Sequence, residues 1–245
     1  MKILAVETST LLGGVAVTDD SEGLIAETRM NIKITHSERL MTQIDSVLQH
    51  SGTQLSDIDV FAAAIGPGSF TGLRIGLSTV KGCAYATGKP LVAVPTLEAL
   101  AWHFPYSRYP VCTLLDARKQ EVYAAVFQWH TDGFLRLMDE VSIGVGPLLD
   151  KIGDITEKIS HTQSSGQGDN GKVIFTGEGS VLYQADIIRQ MGSNAFFATP
   201  EKMVPSPAHV ATLGMKKAVR SEFSEPIGLV PLYVRRSEAE IKWGS

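Results

Sequence analysis

Four short segments of this chain carry residue types suited to holding a phosphate. Glu7-Thr8-Ser9 follows the opening apolar run. Gly66-Pro67-Gly68-Ser69-Phe70-Thr71-Gly72 lies between the apolar stretch Val60–Ile65 and Leu73-Arg74-Ile75-Gly76-Leu77. Asp116-Ala117-Arg118 and Gly177-Glu178-Gly179 come later. A glycine turn between a strand and a helix presents free backbone N–H groups and the positive end of the helix dipole, which suits an anion. A Walker loop, however, ends in Gly-Lys-Ser/Thr, and here Gly72 is followed by Leu73 and Arg74. No lysine is placed to reach a β- or γ-phosphate. Hydroxyls and backbone N–H groups at paired strand turns could still hold a nucleotide between two lobes. That makes Glu7, Thr8, Ser9, Asp116, Gly177 and Gly179 the candidate nucleotide-binding residues. The same residues serve tight turns for backbone reasons alone, and each segment by itself fits either role.

Other chemistry is scarce. The histidines are His36, His50, His103, His130, His161 and His209, and no two lie within five residues of each other. There is no His-Glu-x-x-His and no His-x-x-x-His, so no metal ligands are assigned. Gly-x-Ser-x-Gly is absent, and Ser69 in the glycine turn reads as a turn-forming or helix-capping serine. No catalytic residue is assigned. Cys83 and Cys112 sit in apolar contexts outside any Cys-x-x-Cys pair and read as buried free thiols. With 245 residues and a formal charge of −4, the chain has ordinary globular composition and no global basic field for nucleic acid. The first apolar run is interrupted at Glu7, too soon for a signal peptide, and no stretch approaches the length of a membrane span. The expected location is the cytoplasm.

These candidates need elements to position them. Lys2–Val6, Gly14–Thr18 and Leu24–Met30 read as strands. A helix over residues 36–50 follows, with Thr35 and Glu38 spaced as a capping box and Leu40, Met41, Ile44, Val47 and Leu48 forming one apolar stripe. Val60–Ile65 is a strand. The glycine turn launches a helix over 72–86, Leu91–Val94 is a strand and Leu97–His103 a helix. The pattern then restarts: strands at Val111–Leu115, Glu121–Gln128 and Leu135–Val141, a helix over Pro147–Ile159, a strand at Val173–Thr176 and a helix over Val181–Met191. Ser160–Lys172 reads as a surface loop, Ser206-Pro207 starts a last helix, and Pro231–Arg236 is extended. Two strand-rich starts, each followed by alternating helices and strands, point to an internal duplication in an α/β protein.

The 72–86 helix has two non-polar sides. Leu73, Leu77, Val80 and Ala84 make one. Gly72, Gly76, Thr79, Cys83 and Ala86 make the other, all small, and small residues let a second helix come close. That helix could belong to this chain or to a partner.

Taken together, Glu7-Thr8-Ser9, the stretch from Gly66 to Gly76, Asp116-Ala117-Arg118 with Glu121-Val122-Tyr123, and the tail Pro231-Leu232-Tyr233-Val234-Arg235 resemble the B-subunit family of the bacterial tRNA threonylcarbamoyladenosine machinery, the TsaB or YeaZ type. The resemblance covers nearly the whole chain. It implies the two-lobed actin, Hsp70 and sugar-kinase (ASKHA) fold, a duplicated RNase H-like unit, here with lobes over 1–107 and 108–245 and the helix from about 207 packing back toward the first lobe. It further implies a non-catalytic scaffold or activator that heterodimerises with the catalytic D subunit and works with an ATPase E subunit. ATP and metal would then belong to those partners, with none required by this chain, contact with tRNA would be indirect, and a homodimer could form when the chain is alone. The D subunit binds metal through His-x-x-x-His in a segment like Val-Asn-His-Leu-Glu-Gly-His. The matching stretch here is Val94-Pro95-Thr96-Leu97-Glu98-Ala99-Leu100, where Leu100 cannot ligate a metal and Thr96 is a poor substitute for imidazole.

The family's heterodimer forms through first-lobe helices, which gives the small-residue side a role and makes Gly72, Gly76, Thr79, Cys83 and Ala86 the expected contact positions. The competing readings are an independent ATP-dependent phosphotransferase of the same superfold, with Glu7 and Asp116 as its acids, and a metallopeptidase, for which neither a zinc motif nor a nucleophile arrangement is present.

Overall fold

The computed structural model describes residues 1–31, 36–162 and 171–235. The chain forms two units, one from Met1–Ala99 with Pro205–Leu232 and one from Leu100–Val204 with the tail from Tyr233. A single cut at 107/108 therefore does not separate them. The chain leaves the first unit near residue 100 and re-enters it at Pro205.

The first unit opens with β1 (Lys2–Glu7), β2 (Leu12–Asp19) and β3 (Gly23–Asn31), then α1 (His36–His50), β4 (Val60–Gly66), α2 (Phe70–Thr87) and β5 (Leu91–Pro95), and the chain leaves it within α3 (Thr96–Ala101). Its sheet order is β3-β2-β1-β4-β5. β1 runs antiparallel to β2 and parallel to β4, with Ile3 opposite Thr18 and Val60. Central strands covered on both faces lose the polar alternation of a half-exposed strand, which is why Ile3-Leu4-Ala5-Val6 and Phe61-Ala62-Ala63-Ala64 are continuous apolar runs, all buried. On one face Leu4, Val6, Val15, Val17, Phe61 and Ala63 meet Leu40, Ile44 and Val47 of α1 and Leu77 and Val80 of α2. Met41, expected in the α1 stripe, is exposed. The proposed capping box of α1 at Thr35 and Glu38 lies outside the described residues.

The second unit repeats the plan with β6 (Val111–Arg118), β7 (Glu121–His130), β8 (Gly133–Gly144), α4 (Val145–Thr162), β9 (Val173–Thr176), α5 (Glu178–Leu182), α6 (Gln184–Met191) and β10 (Ala195–Phe197). The order is β10-β9-β6-β7-β8, with β6 antiparallel to β7 and parallel to β9. Position for position this is the first sheet again. Its core joins Cys112, Leu114, Val122, Val126, Leu149, Ile152, Phe175 and Ile187. The helix expected over 181–191 is broken, because Tyr183 (φ −109°, ψ 21°) caps the end of α5 and the start of α6. β10, three residues at the sheet edge, is too short for alternation to reveal in sequence.

The last helix, α7 (Pro207–Val219), belongs to the first unit. Ser206 caps it, accepting from Ala208 N–H, and donates to Glu27 Oε1 of β3 at 2.6 Å. Gly214 lets α7 approach the sheet: a Cβ there would stand 2.8 Å from that of Ala62.

Candidate functional site

In the first unit the glycine turn closes over the end of β1. Ser69 N–H donates to Ser9 C=O at 2.7 Å, and Ser69 Oγ, as the cap of α2, accepts from Gly72 N–H. Thr8 Oγ1 donates to Gly72 C=O at 2.8 Å. The approach is so close that a Cβ on Gly72 would lie 2.0 Å from Thr8 O and one on Gly76 would lie 2.2 Å from Thr8 Oγ1. Gly66, at φ +113°, begins the turn in a conformation that favours glycine, and its N–H donates to Thr96 Oγ1. The Gly66, Ser69 and Gly72 donors and the Thr8 hydroxyl that could have faced a phosphate are thus engaged within the unit.

Glu7 ends β1 fully buried. Its Oε1 accepts from Ser9 N–H at 2.5 Å, while Glu7 Oε2 and Ser9 Oγ have no hydrogen-bond partner among the described residues. Burial penalises the charged carboxylate and pushes its pKa up to about 7, against the lowering effect of the Ser9 hydrogen bonds. A carboxyl without solvent exposure does not meet a substrate in this conformation.

The corresponding place in the second unit is built the same way. A Cβ on Gly177 (φ +102°) would lie 2.0 Å from Leu114 O, and one on Gly179 would lie 3.0 Å from Leu114 Cβ. Ser180 Oγ donates back to Gly177 C=O. Asp116 accepts from Arg118 N–H at 2.9 Å. Burial, then the negative charge of Asp116, raises the pKa of Glu178. Arg235 Nη1 stands 3.6 Å from Glu121 Oε2.

The structure therefore groups Glu7, Thr8 and Ser9 with the first glycine turn, and Asp116 with Gly177, Glu178 and Gly179 in the second unit. Neither group has the composition of a phosphate cradle. In the first, the N–H groups of Gly66, Ser69 and Gly72 and the Thr8 hydroxyl already have partners within the unit, and in the second Asp116 sets its negative charge near Glu178, which lies between Gly177 and Gly179.

The expected partner contacts need correcting. Gly72, Gly76 and Cys83 are buried inside the first unit, Thr79 is half-buried, and only Ala86 is exposed. Gly72 and Gly76 allow close approach to this chain's own Thr8, and Cys83 lies in the core cluster that holds Leu40 and Ile44 of α1. What α2 offers outward is Phe70, Arg74, Ser78 and Tyr85, the last 91% exposed, with the Arg74 guanidinium 3.8 Å above the Phe70 ring. A helical projection of the sequence shows this face too, but the small-residue pattern points to the wrong side. Ser78 and Lys81 also have the Ser-x-x-Lys spacing of a nucleophile pair, which motif reading of the sequence missed. Lys81 Nζ is engaged with Leu229 C=O at 2.5 Å.

Of the two positions compared with metal ligands, Thr96 accepts from Gly66 N–H and Leu100 is fully buried. No group of three or more His, Cys, Asp or Glu that could hold a metal ion occurs among the described residues, and no described helix is long and apolar enough to cross a membrane.

Comparison with known proteins fixes the family. A sequence profile described as TsaD, tRNA N6-adenosine threonylcarbamoyltransferase, matches residues 28–243. The tRNA threonylcarbamoyladenosine biosynthesis protein TsaB of Bacillus subtilis is 30% identical over 243 residues, covering 99% of this chain and 98% of that protein. The chain belongs to the TsaB family. TsaB of Escherichia coli is 35% identical over 136 residues, 54% of this chain and 58% of that protein. Among solved structures, an uncharacterized Pseudomonas aeruginosa protein described as similar to peptidase YEAZ superposes with a TM-score of 0.75 at 26% identity, covering 96% of this chain and 99% of that one. The duplicated mixed sheet and this likeness establish the two-unit ASKHA fold, and the family's members are named for biosynthesis of tRNA threonylcarbamoyladenosine.

Proposed function

We propose that this chain is a non-catalytic subunit in the formation of threonylcarbamoyladenosine beside the tRNA anticodon, acting by binding a catalytic TsaD-type subunit together with a TsaE-type ATPase. ATP and metal are the partners' cofactors in this reading, the chain itself needs neither, and it works in the cytoplasm. The observation that carries the reading is the division of labour on α2. Its inward face is spent on Thr8 and the core, while its outward face presents two exposed aromatic rings and an arginine, residue types enriched at protein interfaces. Phe70, Arg74 and Tyr85 thus replace the buried glycines as contact positions, with Ala86 kept beside them.

Reconstitution tests this. With TsaD- and TsaE-type proteins, threonylcarbamoyl transfer to tRNA should depend on this chain. Tyr85→Ala should weaken co-purification with the TsaD-type protein at least ~fivefold while leaving the thermal midpoint of the isolated chain unchanged. Full modification without this chain would reject the proposal.

A further inference from the structure

After α7 the chain runs back along the first unit as an irregular segment, residues 220–232. It covers the edge of the sheet at β5. Ser224 N–H donates to Leu91 C=O at 2.8 Å, and Ser224 Oγ accepts from Ala93 N–H. Further on, Leu229 packs on the core cluster shared by α1 and α2, and its carbonyl accepts from Lys81 Nζ at 2.5 Å. Leu232 N–H donates to Ile65 C=O at 2.7 Å. Covering an edge strand and closing the core account for Ser224, Leu229 and Leu232. They do not account for the apolar side chains between them that face solvent. Ile227 is 93% exposed, in a turn closed by Leu229 N–H on Glu225 C=O at 3.1 Å, and Val230 is 62% exposed. Apolar side chains scattered singly over a surface are ordinary. These two are held on either side of Leu229, and Leu229 is tied to Lys81, one helical turn from the exposed Tyr85.

We propose that the turn at 225–230 extends the docking face of α2, with Ile227 and Val230 entering an apolar depression on the TsaD-type partner beside Tyr85. The inference rests on the functional reading above and adds where the rest of that interface lies. α2 is too small to form it alone. It has 18 residues, several of them turned inward, whereas a stable interface takes roughly 20–30 residues and about 800 Å² from each partner. The surface must therefore continue past the helix. On α1 the exposed side chains are, Met41 apart, polar or charged: Arg39, Thr42, Asp45, Gln49 and His50. On the 225–230 turn they include Ile227 and Val230. The desolvated centre of an interface is depleted of charge and rich in aromatic rings, which places that centre between Tyr85 and the turn. Both flanks of the turn are anchored to the unit, so little freedom is lost when the partner binds.

The test is calorimetric titration of the TsaD-type protein with the full chain. Ile227→Asp should weaken binding at least about tenfold and Val230→Ser about threefold, and Ile227→Leu should retain it. The thermal midpoint of the isolated chain should not move, because neither side chain is buried; if Ile227→Asp lowers it, Val230→Ser carries the test. Leu135→Asp, at an exposed apolar position on β8 of the second unit, should bind as the unaltered chain does. In the reconstituted reaction Ile227→Asp should raise the concentration of this chain needed for half-maximal transfer, with the maximal rate held. Unchanged binding by both turn variants, while Tyr85→Ala weakens it, overturns this inference and leaves the functional reading standing. A loss shared by Leu135→Asp, a loss confined to the TsaE-type protein, or a change only in self-association of the chain also overturns it. Failure of the unaltered chain to bind the TsaD-type protein rejects the functional reading instead.

Discussion

The two units share one strand order but differ at the helix launched by the glycine turn. In the first, α2 runs 18 residues unbroken, seated on β1 through Gly72 and Gly76. In the second, the equivalent stretch is split into α5 and α6 at Tyr183. Both units nevertheless use glycine for the same purpose. The absent Cβ of Gly72 would lie 2.0 Å from Thr8 O, and that of Gly177 would lie 2.0 Å from Leu114 O. A duplicated fold has kept the contact between the turn and the end of its first strand, and has varied the helix beyond it. The turns are motifs of packing, and the residues exposed around them are where the units diverge.

The largest effects should therefore come from filling that space. Gly72→Ala and Gly177→Ala should each cost more than about 3 kcal/mol, since a backbone carbonyl cannot yield as a side chain does. Gly177→Ala should be the worse of the two, because its φ of +102° adds backbone strain. Urea midpoints give the totals, and hydrogen exchange read unit by unit shows where each loss falls. Near-wild-type stability for either variant would break the equivalence of the two turns.

Next in size is the contrast between the acids at the two strand ends. Buried Glu7 has a pKa raised from 4.5 to about 7. The unfolded chain releases this proton at lower pH than the folded one, so the folded state binds more protons between those values. Stability should be highest below the unfolded pKa and fall as pH rises through about 7, by about 3 kcal/mol in all. Glu7→Gln should flatten urea midpoints measured from about pH 5 to about pH 8. Glu178, also raised, by burial and then by Asp116, is far less enclosed, so Glu178→Gln should change the slope less. Equal slopes for the two variants would mean that burial does not distinguish the two sites.

The duplication itself was legible in sequence, because buried central strands write continuous apolar runs and the order of strands and helices repeats. Ser69 and Ser206 were legible as caps, since their chemistry is local. The role of Gly72 and Gly76 was not. A row of small residues states that something approaches closely, and only the fold shows that it is Thr8, 64 residues from Gly72 in sequence. Glu7 looked like an accessible acid after a strand, and its burial depends on elements that arrive much later in the chain. The Tyr183 break and the three-residue β10 escaped for the opposite reason, being too short to set a period.

The smallest expected effect concerns the first hairpin of each unit. Between β1 and β2 no residue from Thr8 to Leu11 has positive φ, and Thr10 Oγ1 supports the turn by donating to Leu12 C=O. Between β6 and β7, Arg118 pairs with Glu121 across a two-residue turn, and Arg118, Lys119 and Gln120 have φ of 62°, 54° and 63°. Positive φ at both central residues is the geometry of a type I′ turn, which Asn-Gly adopts with least strain. Lys119→Asn combined with Gln120→Gly should raise stability by about 0.5–1 kcal/mol, the relief of left-handed backbone exceeding the entropy that glycine adds to the unfolded chain. An unchanged urea midpoint would mean the turn is not strained as its dihedrals imply. A gain in stability joined to a loss of threonylcarbamoyl transfer would show that the second unit keeps Lys119 and Gln120 for binding at a cost in stability, a use that the first unit's turn, with no such strain, does not share.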